Sequence, residues 1–269
     1  MGTQPFMQAI SKSVWRLNAA LAVLVLALMV ASLAVGPAGL SARTALEALW
    51  SGDGVAGVIV REIRLPRTLL AALIGFSWWS VENSYVDWHI WSGIAILTLL
   101  LFRLLWGVFG SSTARFANFV RGPRTVRSFL RDANSWRAPG HTPLGALSVL
   151  ALLLVTAAQV GLGLIASDED RLNQGPLAAL VSSAASDTAR QIHGVLFYIL
   201  LALIALHVAA IVYYRLVRGK KLVMPMITGR SELDPGVAPM RPGKAWVAVL
   251  CVLVSVAIAR WVVAGAPPL

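Results

Sequence analysis

One cysteine in 269 residues, Cys251, leaves the chain without an intrachain disulfide, a cysteine-ligated cluster or a paired-thiol redox site. It stands inside an apolar run, so packing is its expected role. Charge is scarce too, at 13% of the sequence, against 58% hydrophobic residues and a mean hydropathy of +0.74. That balance, with several apolar runs of about twenty residues, excludes a soluble domain and predicts an integral membrane protein. Internal repeats, a phosphate-cradling glycine loop and the Cys/His spacing of a zinc site are all missing. So is any loop that gathers a catalytic acid, base and nucleophile.

Acidic residues number 12 against 23 Lys and Arg, a net charge of +11. In a soluble domain this would suggest nucleic acid. Here the basic residues fall mostly in two connecting loops, so nucleic acid is not an expected partner. Residues 111–140 carry Arg115, Arg121, Arg124, Arg127, Arg131 and Arg137 against Asp132, and the stretch after residue 216 carries Arg218, Lys220, Lys221, Arg230, Arg241 and Lys244. Both should be cytoplasmic by the positive-inside bias. The connection 167–190 holds Asp168, Glu169, Asp170 and Asp187 with Arg171 and Arg190, and reads as the outer face.

Histidine is rare as well, with four in the chain. Two of them, His193 and His207, lie in the apolar run Gln191–Leu216. Fourteen residues at about 100° each come within about 40° of four full turns, so the two imidazoles share a helical face about 21 Å apart along the axis. Ionisable groups inside a membrane are costly and face a partner, a cavity or a cofactor. Either the pair hydrogen-bonds between helices, or it forms a ladder of two haem irons. His89 and Arg103 repeat the fourteen-residue spacing in the run ending at Phe109. A buried Arg103 needs an anion such as a haem propionate, or it snorkels to the nearby interface.

In order, the runs predict an all-α chain. Leu17–Val35 follows Lys12 and Arg16 and is long enough to cross as an uncleaved helix. Residues 36–60 read as turns around a short amphipathic helix, and Thr68–Val81 is apolar with Trp78 and Trp79 at an interfacial position. An acidic and aromatic link, Glu82–Trp88, leads into a helix from about His89 to Phe109. Further helices are expected at about Pro143–Ala166, Gln191–Leu216 and Ala245–Ala264. His89 and His193 then both fall in the first turn of a helix entering from the outer side.

Two resemblances follow from particular motifs. Residues of about 20–75, through the run ending in Gly36-Pro37 and through Arg64-Leu65-Pro66-Arg67-Thr68-Leu69-Leu70-Ala71, resemble the beginning of iron-chelate ABC transporter permeases. From about 76 to 230 the chain resembles the bacterial cytochrome b561 family, which includes the b-type subunits of membrane nickel-iron hydrogenases. The stretches that carry this are His89-Ile90-Trp91-Ser92-Gly93, Arg103-Leu104-Leu105-Trp106-Gly107, Ala114-Arg115-Phe116, Gly140-His141-Thr142-Pro143-Leu144-Gly145, Ile192-His193-Gly194, Leu206-His207 and Leu222 through Gly229.

The second resemblance implies an integral membrane four-helix haem-binding bundle over 76–269, preceded by a permease-like segment over 1–75 that adds one or two hydrophobic helices. It implies electron transfer between the quinone pool and a redox partner, such as a c-type cytochrome or a dehydrogenase or hydrogenase subunit, in the respiratory chain of the bacterial inner membrane. By the same resemblance His89 and His193 hold iron in an outer haem b, and His207 holds iron in an inner one. The family's partner for His207 belongs to a His-Trp pair in the first bundle helix, where this chain has Arg67 and Thr68. His141 is the nearest substitute, but it sits at or before the start of its helix, whereas His207 lies about 13 Å deep, nine residues from its helix end. One haem is therefore expected, with the second lacking a ligand. The charge pattern has a seam at the same place, because residues 37–64 and Lys12 and Arg16 would all need to be cytoplasmic. The alternatives are a fragment or fusion of an iron-chelate permease, or a redox-inactive fusion.

Overall fold

In the computed structural model of the chain, the structure describes residues 65–112, 114–132, 142–216 and 243–267. The expected helix Leu17–Val35, the stretch 36–60 and His141 lie outside the described residues. The described elements are helical: α1 (Leu65–Glu82), α2 (Val86–Phe109), α3 (Phe116–Phe119), α4 (Pro123–Arg131), α5 (Pro143–Ile165), a 3-10 turn (Ala178–Leu180), α6 (Ser183–Leu216) and α7 (Ala245–Val263). Among the described residues no strand forms; Ser167 and Gln174 make one isolated bridge. Four helices, α2, α5, α6 and α7, are long and apolar enough to span a bilayer.

The chain divides into two units, 1–92 and 93–269. In the first, α1 turns into α2 through three residues, Asn83–Tyr85. The Asn83 amide donates to the Trp79 carbonyl at 3.2 Å, the Tyr85 amide donates to that of Ser80 at 2.8 Å, and Ser84 takes φ 63° between them. The link is shorter than the hydropathy suggested, because Asp87 suits the positive end of α2 and lets the helix begin at Val86. Around the turn the rings of Phe76 and Trp88 meet edge to face, and those of Trp79 and Tyr85 lie 5.7 Å apart. Such amphipathic aromatics suit a membrane–water boundary.

In the second unit, Phe102 and Trp106 stack 5.9 Å apart and bury themselves with Cys251 of α7, bordered by Val247 and Ala248. Cys251 is thus a packing residue. A stripe of small or apolar side chains, Cys251, Ser255, Ala259 and Val262, forms the buried face of α7. Its Ser255 hydroxyl returns a 2.7 Å hydrogen bond to the Cys251 carbonyl, so the face carries no orphan hydroxyl.

α5 begins where the sequence said, because Pro143 tolerates the first helical position and the Thr142 hydroxyl accepts from the Gly145 amide at 3.1 Å. α6 begins eight residues earlier than expected. The Ser182 hydroxyl accepts from the Ala185 amide at 3.3 Å, and nothing in Ser183–Arg190 breaks a helix. His193 is consequently about three turns from the start of α6, so placing it in the first turn was wrong. α5 and α6 pack along each other, while Val195, Tyr198 and Leu206 face outward, exposed as lipid-facing residues would be.

The connection from α5 to α6 is pinned to the end of α5. The Leu177 amide donates to the Leu164 carbonyl and the Gly175 amide to that of Ala166, each at 2.8 Å. A single chain of hydroxyls closes the corner. Ser186 donates to the Ile165 carbonyl at 2.8 Å, so the 2.8 Å contact between Ser167 and Ser186 must use the Ser167 proton, and Arg171 donates to Ser167 at 3.1 Å. Arg171 also pairs with Asp187 at 3.1 Å. Asp168 accepts from the Asn173 side chain at 2.7 Å, which with nearby backbone amides holds its carboxyl below the usual range.

A Cβ added at Gly175 would run into the carbonyl oxygens of Gly163 and Leu164. Gly175→Ala should therefore push the loop off α5 and cost about 1–3 kcal/mol. Thermal unfolding of the detergent-solubilised protein checks this. A variant as stable as the parent would mean that the loop does not press on α5.

Candidate functional site

Three histidines lie on membrane-spanning helices, and each has its Nδ1 engaged by an oxygen of a neighbouring helix. His89, on the second turn of α2, has Nδ1 2.9 Å from the Ser77 carbonyl and 3.0 Å from the Ser77 hydroxyl, both on α1. His193 on α6 has Nδ1 2.9 Å from the Gln159 carbonyl of α5. His207 has Nδ1 2.8 Å from the Ser148 hydroxyl, also on α5.

A carbonyl can only accept, so at His89 and His193 the tautomer is one with the proton on Nδ1. At His207 a hydroxyl is compatible with the same tautomer. An outward-held Nδ1–H of this kind orients an imidazole and raises the basicity of the other nitrogen, as at metal-bound histidines.

The register of α5 makes two of these contacts together. Ser148 and Gln159 are eleven residues apart, within about 20° of three full turns, so they share a face. Run antiparallel to α6, that face meets His207 with its early turn and His193 with its late one. Gly163 is what permits the second contact. A Cβ there would stand 3.0 Å from His193 Cε1, tighter than an imidazole in place would tolerate.

Arg103 is turned to the loop that follows α2. Its guanidinium lies 5.1 Å from the centroid of the Phe116 ring and donates to the Ala114 carbonyl at 3.4 Å. Gly107 makes room for that ring. These are partners for an arginine that reaches out of its helix toward an interface, the snorkelling alternative.

At the other end of the α5–α6 pair, three buried polar atoms have no hydrogen-bond partner: Gln159 Oε1, Asp168 Oδ1 and Arg190 Nε. Sequence reasoning named none of these as site atoms, nor Ser77, Ser148 or Gly163. Main-chain acceptors leave no side-chain signature, and Gly163 was one of many small residues in a run read as suited to close packing.

Among the described residues no three His, Cys, Asp or Glu side chains converge into a metal site of their own. His89, His193 and His207 are dispersed and are not gathered into one cluster. A family model described as prokaryotic cytochrome b561 matches residues 20–229 of the 269. The chain belongs to the prokaryotic cytochrome b561 family.

The family match extends further toward the N-terminus than the motifs from about 76 onward indicated, across the segment that resembles a permease. That segment has its own relative. The achromobactin transport system permease protein CbrC of Dickeya dadantii (strain 3937) is 53% identical over 64 residues in the N-terminal region, which is 23% of this chain and 18% of that protein. The chain thus spans less than a fifth of that relative's length. No solved structure matches.

The donor set suits the haem b that a cytochrome b561 implies. A b haem has no thioether attachment and depends on neutral axial imidazoles, apolar walls and polar partners for its propionates. His89 and His193 each have Nδ1 against a main-chain carbonyl, Gly163 leaves the His193 ring its place against α5, and Arg190, three residues before His193, has a buried Nε–H without an acceptor.

Proposed function

We propose that this multi-pass membrane protein is a b-type cytochrome of the bacterial inner membrane that passes electrons between the quinone pool and a redox partner protein. The observation that carries the reading is the common setting of His89, His193 and His207, each on an apolar helix with Nδ1 held by a neighbouring helix. His89 and His193 are the proposed ligands of an outer haem, and His207 of an inner one. Bound haem would supply a one-electron ferric/ferrous couple. The chain's own part would be to orient the imidazoles and exclude water with lipid-facing helices. His193 and His207, about 21 Å apart along α6, cannot serve one iron. Because positions 67 and 68 hold Arg and Thr instead of the family's His-Trp pair, about one tightly held haem per chain is expected.

A reduced-minus-oxidised absorption spectrum of the purified protein, with a haem assay, tests the proposal. Bands of a b haem are expected. Their absence from protein made with ample haem would leave a redox-inactive fusion.

A second reading is favoured by the 53% identity to the permease. In it, the segment 1–75 is a piece of an iron-chelate transporter joined to a cytochrome domain at 76–269. With 18% of that relative's length, the segment is too short to transport alone.

The arginine and lysine bias further supports loops 111–140 and 217–243 in the cytoplasm and 167–190 in the periplasm. An introduced Ser183→Cys, at the exposed start of α6, should react with a membrane-impermeant thiol reagent added outside spheroplasts. Protection there, with labelling only after lysis, would reverse the orientation.

A further inference from the structure

Arg190 stands three residues before His193 on α6. That places it one turn outward, about 4.5 Å along the axis and within about 60° of the same face. Its Nη2 donates to Glu169 at 3.2 Å, yet the glutamate side chain is 80% exposed, so this is a surface pair of small worth. Nε is shut off from water and has no acceptor at all. A buried guanidinium N–H without a partner is costly, and its presence in a folded protein calls for a ligand that accepts from it.

The sequence offered Arg103 either as the cation for a haem carboxylate or as an arginine snorkelling to the interface. In the structure that guanidinium lies over the Phe116 ring and donates to the Ala114 carbonyl, residues that follow α2 in the chain. Among the described residues, Arg190 is a cation three residues from a histidine with a buried donor left over.

We infer that Arg190 binds a propionate of the haem ligated by His193 through its buried Nε, and so raises the reduction potential of that haem. The inference rests on the reading of the protein as a haem cytochrome. Ionised carboxylates in a membrane seek the watery boundary, and Arg190 lies on the boundary side of His193. A guanidinium fork is matched to a carboxylate and retains its charge at any working pH. Positive charge beside the haem, and neutralisation of the propionate, both favour the ferrous form over the ferric one. Glu169 meets Nη2 at the surface, leaving Nε as the buried donor.

The test is a potentiometric titration of purified protein, following the component that His193→Ala removes. Arg190→Gln should shift the ferric-to-ferrous ratio about tenfold toward ferric at a fixed potential, which is about 59 mV for one electron, with the absorption maxima unmoved. Arg190→Lys should retain most of the parent potential, because it keeps the charge. Glu169→Gln should leave the ratio unchanged or move it toward ferrous. An unchanged ratio in Arg190→Gln would overturn the inference, as would an equal ferric shift in Glu169→Gln, which would make the surface pair the cause. Should Arg190→Gln fail to fold, a ferric shift in Arg190→Lys as large as tenfold, or one in Glu169→Gln, would overturn it instead. Haem missing from the parent protein would sink the cytochrome reading itself. Haem present with an indifferent Arg190 would sink only this assignment.

Discussion

Replacing His193 with alanine should abolish the outer haem, and His89→Ala should do the same. A b haem is held by its axial bonds and its pocket alone, with no covalent tether, and an apolar helix offers few substitute ligands. At His193 the loss is compounded. The imidazole is held 2.9 Å from a main-chain carbonyl of α5, so its removal also ends a contact between α5 and α6. Arg103→Ala should leave the haem in place, since that guanidinium is engaged with Phe116 and Ala114. Pyridine haemochrome assays on variants purified at equal yield decide the matter. Full haem content and an unaltered spectrum in both histidine variants would make the pair structural, polar residues satisfied between helices and nothing more.

Gly163→Leu should be nearly as severe while leaving every ligand in the chain. Even a single added carbon would stand 3.0 Å from His193 Cε1, and a leucine would carry three more. The imidazole would have to abandon the Gln159 carbonyl, and with it the orientation and tautomer that present Nε2. Haem content is expected to fall at least tenfold, in line with losses from disturbing the partners of a metal-bound histidine. Gly163→Ala should give an intermediate loss, because a shift of a few tenths of an ångström relieves it. The pair separates crowding at the ring from general damage to α5. Equal haem in parent and leucine variant would show that the ring does not need its place against α5.

Hydropathy located the membrane helices well, because burial in lipid is a property of side chains. It placed the starts of α5 and α7 correctly, at Pro143 and Ala245. It was late on α6 for the same reason: Ser183–Arg190 is polar, and a helix that extends past the bilayer is announced by its cap at Ser182 and not by apolarity. His89, His193 and His207 were legible as rare ionisable groups in apolar runs. What holds them was not. A carbonyl at Gln159 or Ser77 looks the same in every sequence, and the contact between Ser148 and His207 joins residues 59 apart. Arg103 was open between a propionate and the interface, and the Phe116 ring thirteen residues on, over which it lies, gives no polar signature in the sequence. Arg190 passed as one more loop charge, because the sequence does not reveal that its Nε is buried.

That His193 leans on a main-chain oxygen has a consequence for inheritance. Changes of the Gln159 side chain to other good helix formers should leave the acceptor where it is, so drift at that codon is nearly silent for the imidazole. The setting is exposed instead to anything that bends the path of α5. A proline one turn on, at position 163, would clash with that very carbonyl and bend the helix beneath the ring. Lesions that disable the site can therefore lie in the course of a neighbouring helix, at codons that encode no ligand.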